Sequence, residues 1–280
     1  MKLFWLETYK TFSRWRTYIS FGFIALIVIL TEVVMKLSAD EILYRMMRSF
    51  QQDFLIFGNV LNGWFITAFI MNSLHIHIPF LITLVAGDIV SSEATSGTMR
   101  LLLIRPPSRS KIITAKYLTA LFYTTGLVIF LALICISFGL ILFGSGDLII
   151  HYETKFRIVF IPEAEVPVRM LLAFAAAIWS MTVVASLAFL FSTLAENSIG
   201  PIIGTMAVVI VFLVIGNFPF DFFRLVSPCL FTTYMIFWQR FFDDPIPWQE
   251  IGRSAMILGF HSVGLFLMAF TVFNRKDIKS

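Results

Sequence analysis

The chain has 280 residues, 59% of them apolar and 14% charged, with 32 Phe and a formal net charge of +4. A soluble domain of this length has too little interior to bury so much apolar side chain, so the composition excludes a cytosolic globular protein and requires an integral membrane protein. The positive charge reads as orientation in a membrane rather than a nucleic-acid surface, and nucleic acid is not expected as a partner.

In chain order, residues 3–19 come first. A helical wheel puts Phe4, Trp5, Tyr9, Phe12, Trp15 and Ile19 on one side and Glu7, Lys10 and Arg14 on the other. This predicts an amphipathic helix lying in the interface, anchored by Trp5, Phe12 and Trp15. Six apolar runs follow, at about 18–36, 61–86, 118–143, 168–194, 199–216 and 255–273. Each comes close to the ~20 helical residues that cross a ~30 Å hydrocarbon layer, and none alternates as a barrel strand does. The expected fold is an all-α membrane protein of six transmembrane helices in a single domain. The first run follows an aromatic and basic stretch and lacks a small-residue cleavage site, so it reads as a retained span and not a signal peptide.

Within the runs, Glu32 lies four residues before Lys36, which predicts a pair along one helix face. His75 and His77 point about 200° apart on a helix and cannot share a metal, and Pro79 predicts a kink just after them. Cys135 and Cys229 have no metal or redox spacing and read as unpaired packing residues. Gly200 and Gly204 form a GxxxG pattern, and Ala173, Ala176 and Ala177 line part of the fourth span. Small residues at these spacings favour close helix contact. Residues 194–198 separate the fourth and fifth spans so briefly that a tight antiparallel hairpin must form. Residues 217–254, rich in Phe and Trp and broken by prolines, predict short helices re-entering one leaflet, with Trp238 and Trp248 at the interface. The segments 39–59 and 144–167 read as ordinary loops, the first carrying a short amphipathic helix.

Six crossings leave both ends on one side. With those ends in the cytoplasm, the inner segments carry 12 of the 21 Lys and Arg although they are shorter than the outer ones, as the positive-inside tendency expects. The reading is a multi-pass protein of the cytoplasmic membrane with both termini inside.

The sizeable inner segment is 87–117, which holds Glu93, Gly97, Thr98, Leu101 to Leu103, Pro106, Pro107, Arg109, Lys111 and Lys116 between two apolar runs. Elsewhere the chain has no GxxxxGK[ST] phosphate cradle, no HExxH, no GxSxG and no pair of carboxylates within a span. Ser73 beside His75 and His77 is the nearest approach to a nucleophile with a base. Uphill work by this protein therefore needs an energy source in another subunit.

The residues Gly87-Asp88, Glu93, Ser96-Gly97-Thr98, Leu101-Leu102-Leu103, Pro106, Ser108-Arg109 and Lys116 resemble the signature of the ABC-2 type permeases, membrane subunits of ATP-binding-cassette exporters. The amphipathic amino-terminal helix, the six spans, the aromatic loop before the last span and the closing stretch 273–278 are similar as well. Met99 in place of the usual Leu, and the second proline Pro107, are the departures. The resemblance implies that a short helix between spans two and three docks into a groove on a cytoplasmic ATPase and passes its closure to the membrane helices. Glu93, Thr98, Arg100 and Arg109 would then make polar contacts with the ATPase, Leu101, Leu102 and Leu103 would supply the apolar face, and Gly97 would allow close approach. Pro106 would brace the lever and Lys116 would open the third helix. It further implies a dimer, or a pair with a similar permease, that binds no cofactor itself. ATP and Mg²⁺ would sit in the partner ATPase, and a substrate would move outward without enzymatic chemistry in this chain. The rival readings are an intramembrane enzyme using a Ser, a His or Glu32, and a passive membrane anchor for an ATPase complex.

Overall fold

A computed structural model describes residues 2–39, 41, 61–96, 108–152, 157–217 and 225–275. Helix α1, Lys2–Phe12, stops where Arg14 turns extended at φ −88° and ψ 130°, and α2, Trp15–Leu37, starts directly after it. The hydroxyl of Thr17 donates to Thr11 O at 2.5 Å and fixes this corner. The helix expected over 3–19 is therefore two helices, and Trp15 belongs to the first span.

The second apolar run is broken twice, into α3, Gly63–Leu74, α4, His77–Ala86, and α5, Asp88–Thr95. Pro79 sits in the first turn of α4, where its missing N–H leaves no bond unmade, and its ring excludes the carbonyl of His75 four residues back. The kink expected from Pro79 thus falls at residues 75–76, just upstream of the proline. The helix also continues past residue 86 into α5, so residues 88–95 are helix and not loop. Helix α6, Arg109–Phe143, likewise begins nine residues before the apolar run did.

Between α6 and α7, Val166–Leu194, strands β1, Leu148–Tyr152, and β2, Arg157–Ile161, pair antiparallel with Ile150 opposite Val159. This hairpin stands where an irregular loop was expected. Its β-branched run, Ile149-Ile150 against Ile158-Val159, suits a pleated surface. Helix α8, Ile199–Asn217, completes the tight hairpin with α7. The aromatic segment then supplies a 3₁₀ turn at Ser227–Cys229, the short α9, Phe231–Tyr234, and a 3₁₀ helix at Phe237–Phe242, ahead of α10, Trp248–Arg275.

Among the described residues, six helical stretches are long and apolar enough to cross a membrane: α2, α4 with α5, α6, α7, α8 and α10. The chain is an all-α multi-pass membrane protein. Helix α7 is its axis, buried along most of its length and packed by α4, α5, α6, α8 and α10. Ala173, Ala176 and Ala177 lie in that buried surface. Gly204 meets the Phe191 ring and Gly200 meets the Asn197 side chain, so the GxxxG pair closes the α7–α8 hairpin within this chain. The closest backbone approach is elsewhere: a Cβ on Gly63 of α3 would stand 2.5 Å from the carbonyl carbon of Gly139 in α6.

Contacts sort the bundle ends into two faces. On the terminal face, Arg109 donates to Asn274 O at 3.4 Å and Ser110 to Asn274 Oδ1 at 3.3 Å, joining the start of α6 to the end of α10. On the far face, Asn62 caps α3 by accepting from the N–H groups of Trp64 and Phe65, while its amide donates to Asp147 O at 2.6 Å. There too Arg169 holds Glu165 and donates to Asp243 O at 2.9 Å, tying α7 to the broken helices. Lys36 does not pair with Glu32. Its ammonium donates to Leu142 O at 2.6 Å, capping the carboxyl end of α6, and lies over the Phe143 ring. Glu32 is 0% exposed, and among the described residues neither of its carboxylate oxygens has a hydrogen-bond partner.

Candidate functional site

On the terminal face, α1 turns its polar side inward. Glu7, Thr8 and Thr11 are buried against α6, while Trp5, Tyr9 and the adjoining Trp15 are exposed as an interfacial anchor requires. Phe12 packs inward with edge contacts to Phe122 and Tyr123. The inward turn follows from Lys116. This residue is 1% exposed in a helix that is otherwise apolar at this level, and a buried ammonium must be met by counter-charge. Two carboxylates meet it: Glu7 Oε2 at 2.7 Å and Glu93 Oε1 at 2.8 Å. Lys10 completes the set, 2.8 Å from Glu7 Oε1 and 3.3 Å from Glu93 Oε1.

Glu7, Lys10, Glu93 and Lys116 thus form a closed ring of alternating charge that joins α1, α5 and α6. Lys116 also donates to Ile89 O at 3.3 Å, and Thr8 meets Thr119 at 3.4 Å beside it. Burial pushes the Glu7 carboxyl up, but the Lys116 and Lys10 ammonium groups outweigh it and hold the group below its ordinary value of 4.5. Burial likewise pulls Lys10 down, and the carboxylates of Glu7 and Glu93 more than reverse this, leaving it above 10.5. Both shifts favour the charged forms of Glu7 and Lys10.

The same helix α5 is gripped from two further directions. Arg14 pairs with Asp88 at 3.0 Å and donates to Ser92 Oγ at 2.8 Å. From α7, Ser192 Oγ accepts the N–H groups of Val90 and Ser91 at 3.1 and 3.0 Å, satisfying donors freed where the helix breaks at Gly87. Thr95 donates to Glu196 O at 3.1 Å, in the turn leading to α8. Residues 97–107 are therefore flanked by two clamped pieces: α5, bound to α1, α6 and α7, and the start of α6, bound to α10.

Of the expected site residues, Glu93 and Lys116 are brought together in the ring, and Arg109 reaches Asn274. Glu93, expected to face a partner, is 5% exposed and turned inward, because Lys116 needs it. Gly97, Thr98, Arg100, Leu101, Leu102 and Pro106 lie outside the described residues. Glu7 and Lys10 were read only as the polar face of an interfacial helix. The signal that could have promoted them is the lone cation Lys116 entering an apolar helix, which demands an acidic partner on some neighbouring element. His75 bonds Asn72 O at 2.6 Å, His77 bonds Ser73 O at 3.2 Å across the break, and the Ser73 hydroxyl donates to Phe69 O at 2.9 Å, so all three side chains engage backbone carbonyls and not one another.

A family model described as "Protein of unknown function (DUF2705)" matches residues 22–279. A curated relative, "Uncharacterized protein YhcI" of Bacillus subtilis (strain 168), is 26% identical over 212 residues, covering 70% of this chain and 63% of that protein.

Proposed function

Since the chain belongs to the DUF2705 family, whose description assigns no activity, we propose from its own chemistry that it is the membrane subunit of an ATP-driven exporter, coupled through residues 97–107 to a separate cytoplasmic ATPase. One observation carries this reading. Both flanks of that segment are fastened by charge and hydrogen bonds to α1, α6, α7 and α10, so a push that reaches either flank is delivered to the bundle. The clamps lie where the motif resembling the ABC-2 permeases lies, and the sequence offers no phosphate cradle of its own.

On this reading Arg100, Leu101 and Leu102 meet the ATPase, while Glu93 and Lys116 hold the lever to the bundle and Arg109 pins it to α10. The terminal face is cytoplasmic, the protein works as a pair with itself or a similar permease, and ATP with Mg²⁺ is bound by the partner. The test is purification in mild detergent with ATPase activity assayed in the eluate, beside an Arg100→Glu/Leu101→Asp variant that leaves the ring intact. The expected result is a co-purifying nucleotide hydrolase that the variant loses while still eluting as a folded protein. A wild-type chain that is folded, alone and without ATPase activity in several detergents overturns the proposal.

A further inference from the structure

The far face carries a cavity of about 530 Å³ between the broken helices and the first turns of α10, within the size range of small-ligand sites. One wall is apolar, built from Tyr234, Ile236 and Phe237, and the other is charged, built from Arg240, Asp243, Glu250 and Arg253. The charges are arranged unevenly. Arg240 is shared between Asp243 at 3.5 Å and Glu250 at 3.1 Å, and the Asp243 carboxylate is shielded while the Glu250 side chain is 60% exposed. That cluster has one carboxylate in excess, and its accessible member is Glu250. Among the described residues, Arg253, three residues on along α10, makes no hydrogen bond or ion pair. The cavity therefore offers one negative and one positive point on neighbouring positions of a single helix face.

Depth identifies the occupant. Helix α10 has 28 residues, which at ~1.5 Å each gives about 40 Å against a hydrocarbon core of ~30 Å. Centred on the bilayer, it leaves about three to four residues beyond each edge, which places Arg253, the sixth residue, about half a turn inside the boundary, from where its long side chain extends outward to the lipid phosphates. Trp248, exposed at the start of α10, sits where interfacial aromatics belong. A guanidinium at that depth without a protein partner is met by the phosphate oxygens it binds bidentately.

We propose that this cavity binds the headgroup of a zwitterionic phospholipid bearing a primary amine, with its phosphate on Arg253, its ammonium on Glu250 and its upper acyl chain along Ile236 and Phe237. The ammonium donates N–H bonds to the carboxylate, which a trimethylammonium group cannot do. The inference does not use the transport reading, and lipid selectivity is measured on the chain alone.

The test is native mass spectrometry of the detergent-purified full chain, titrated in parallel with phosphatidylethanolamine, phosphatidylcholine and phosphatidylglycerol. The expected result is a one-lipid complex with phosphatidylethanolamine favoured about tenfold over either of the others, the difference one charge-assisted hydrogen bond makes. Glu250→Gln should reduce that preference to about onefold, and Arg253→Ala should weaken retention of all three lipids while Arg253→Lys, a single point charge, recovers only part of it. Equal retention of the three lipids by wild type overturns the proposal, as does a preference that survives both Glu250→Gln and Arg253→Ala.

Discussion

Replacing Lys116 by Met should be among the most damaging single changes on the terminal face. Met keeps the length of the side chain and removes only the ammonium, so packing is nearly preserved. Glu7 Oε2 and Glu93 Oε1 each lie within 2.8 Å of the lysine nitrogen, and hence no more than about 5.5 Å from each other. At that separation and an effective dielectric of ~20, two bare carboxylates repel by about 3 kcal/mol. Lys10 offsets part of this, but its side chain is 35% exposed and solvent-screened. Taking one partner from a buried pair costs about 3–5 kcal/mol by experience, which agrees. The assay is thermal unfolding in detergent followed by Trp fluorescence, where a domain of this size loses roughly 2–4 °C per kcal/mol, giving a drop on the order of 10 °C. The triple variant Glu7→Gln/Glu93→Gln/Lys116→Met removes the whole charge set and should recover most of that loss, because dismantling a buried network entirely costs little. If Lys116→Met alone unfolds with the wild type, or the triple variant is no better than the single one, the ring does not hold these helices.

Other outcomes follow from the same geometry. The Glu7 carboxyl is held below 4.5, so its contribution is present above that value and lost as pH falls through the lowered one. Lys10 is held above 10.5, so its share persists below that value and is lost as pH rises past it. A pH series of unfolding temperatures should thus be flat near neutrality with shoulders beyond both ends, and Glu7→Gln should erase the acid shoulder. Gly63→Ala places a methyl 2.5 Å from Gly139 and should cost about 1–3 kcal/mol, whereas Gly126→Ala and Gly264→Ala meet nothing within 4 Å and should be neutral or stabilising, as denaturation midpoints will show. Tyr117→Phe loses the 2.8 Å bond to Ser186 but keeps the stack on Phe266, for a loss of about 0.5–1.5 kcal/mol. Glu32→Gln breaks no interaction and should leave the midpoint unchanged or raised; a loss as large as that of Lys116→Met would mean the carboxyl has a partner after all.

How much of this was legible depends on the range of the physics. The spans were, since hydrocarbon length and apolar continuity are local properties. So were the α7–α8 hairpin and the broken helices before α10, which short spacing and prolines dictate. So was the break near Pro79, because a proline excludes the carbonyl four residues behind it. The Glu32–Lys36 pair was a sound local expectation that lost to a tertiary one: the end of α6 offers Lys36 an unsatisfied carbonyl and an aromatic ring. The ring was legible only by half. Glu93 and Lys116 stood out, but their partner Glu7 is 109 residues from Lys116, and no helical pattern encodes which distant face a charge will meet.

That separation also sets an order of assembly. At ~5–20 residues per second of synthesis, Glu7 is made roughly 5–20 s before Lys116 exists. Throughout that interval Glu7 has Lys10 of its own helix as counter-ion but lacks Lys116, and the exposed Trp5 and Tyr9 suit the membrane interface. The ring can close only once Lys116 has been made. Without α1 the Lys116 ammonium keeps Glu93 but not Glu7, so closing the ring is what fastens the first helix of the chain to its third span.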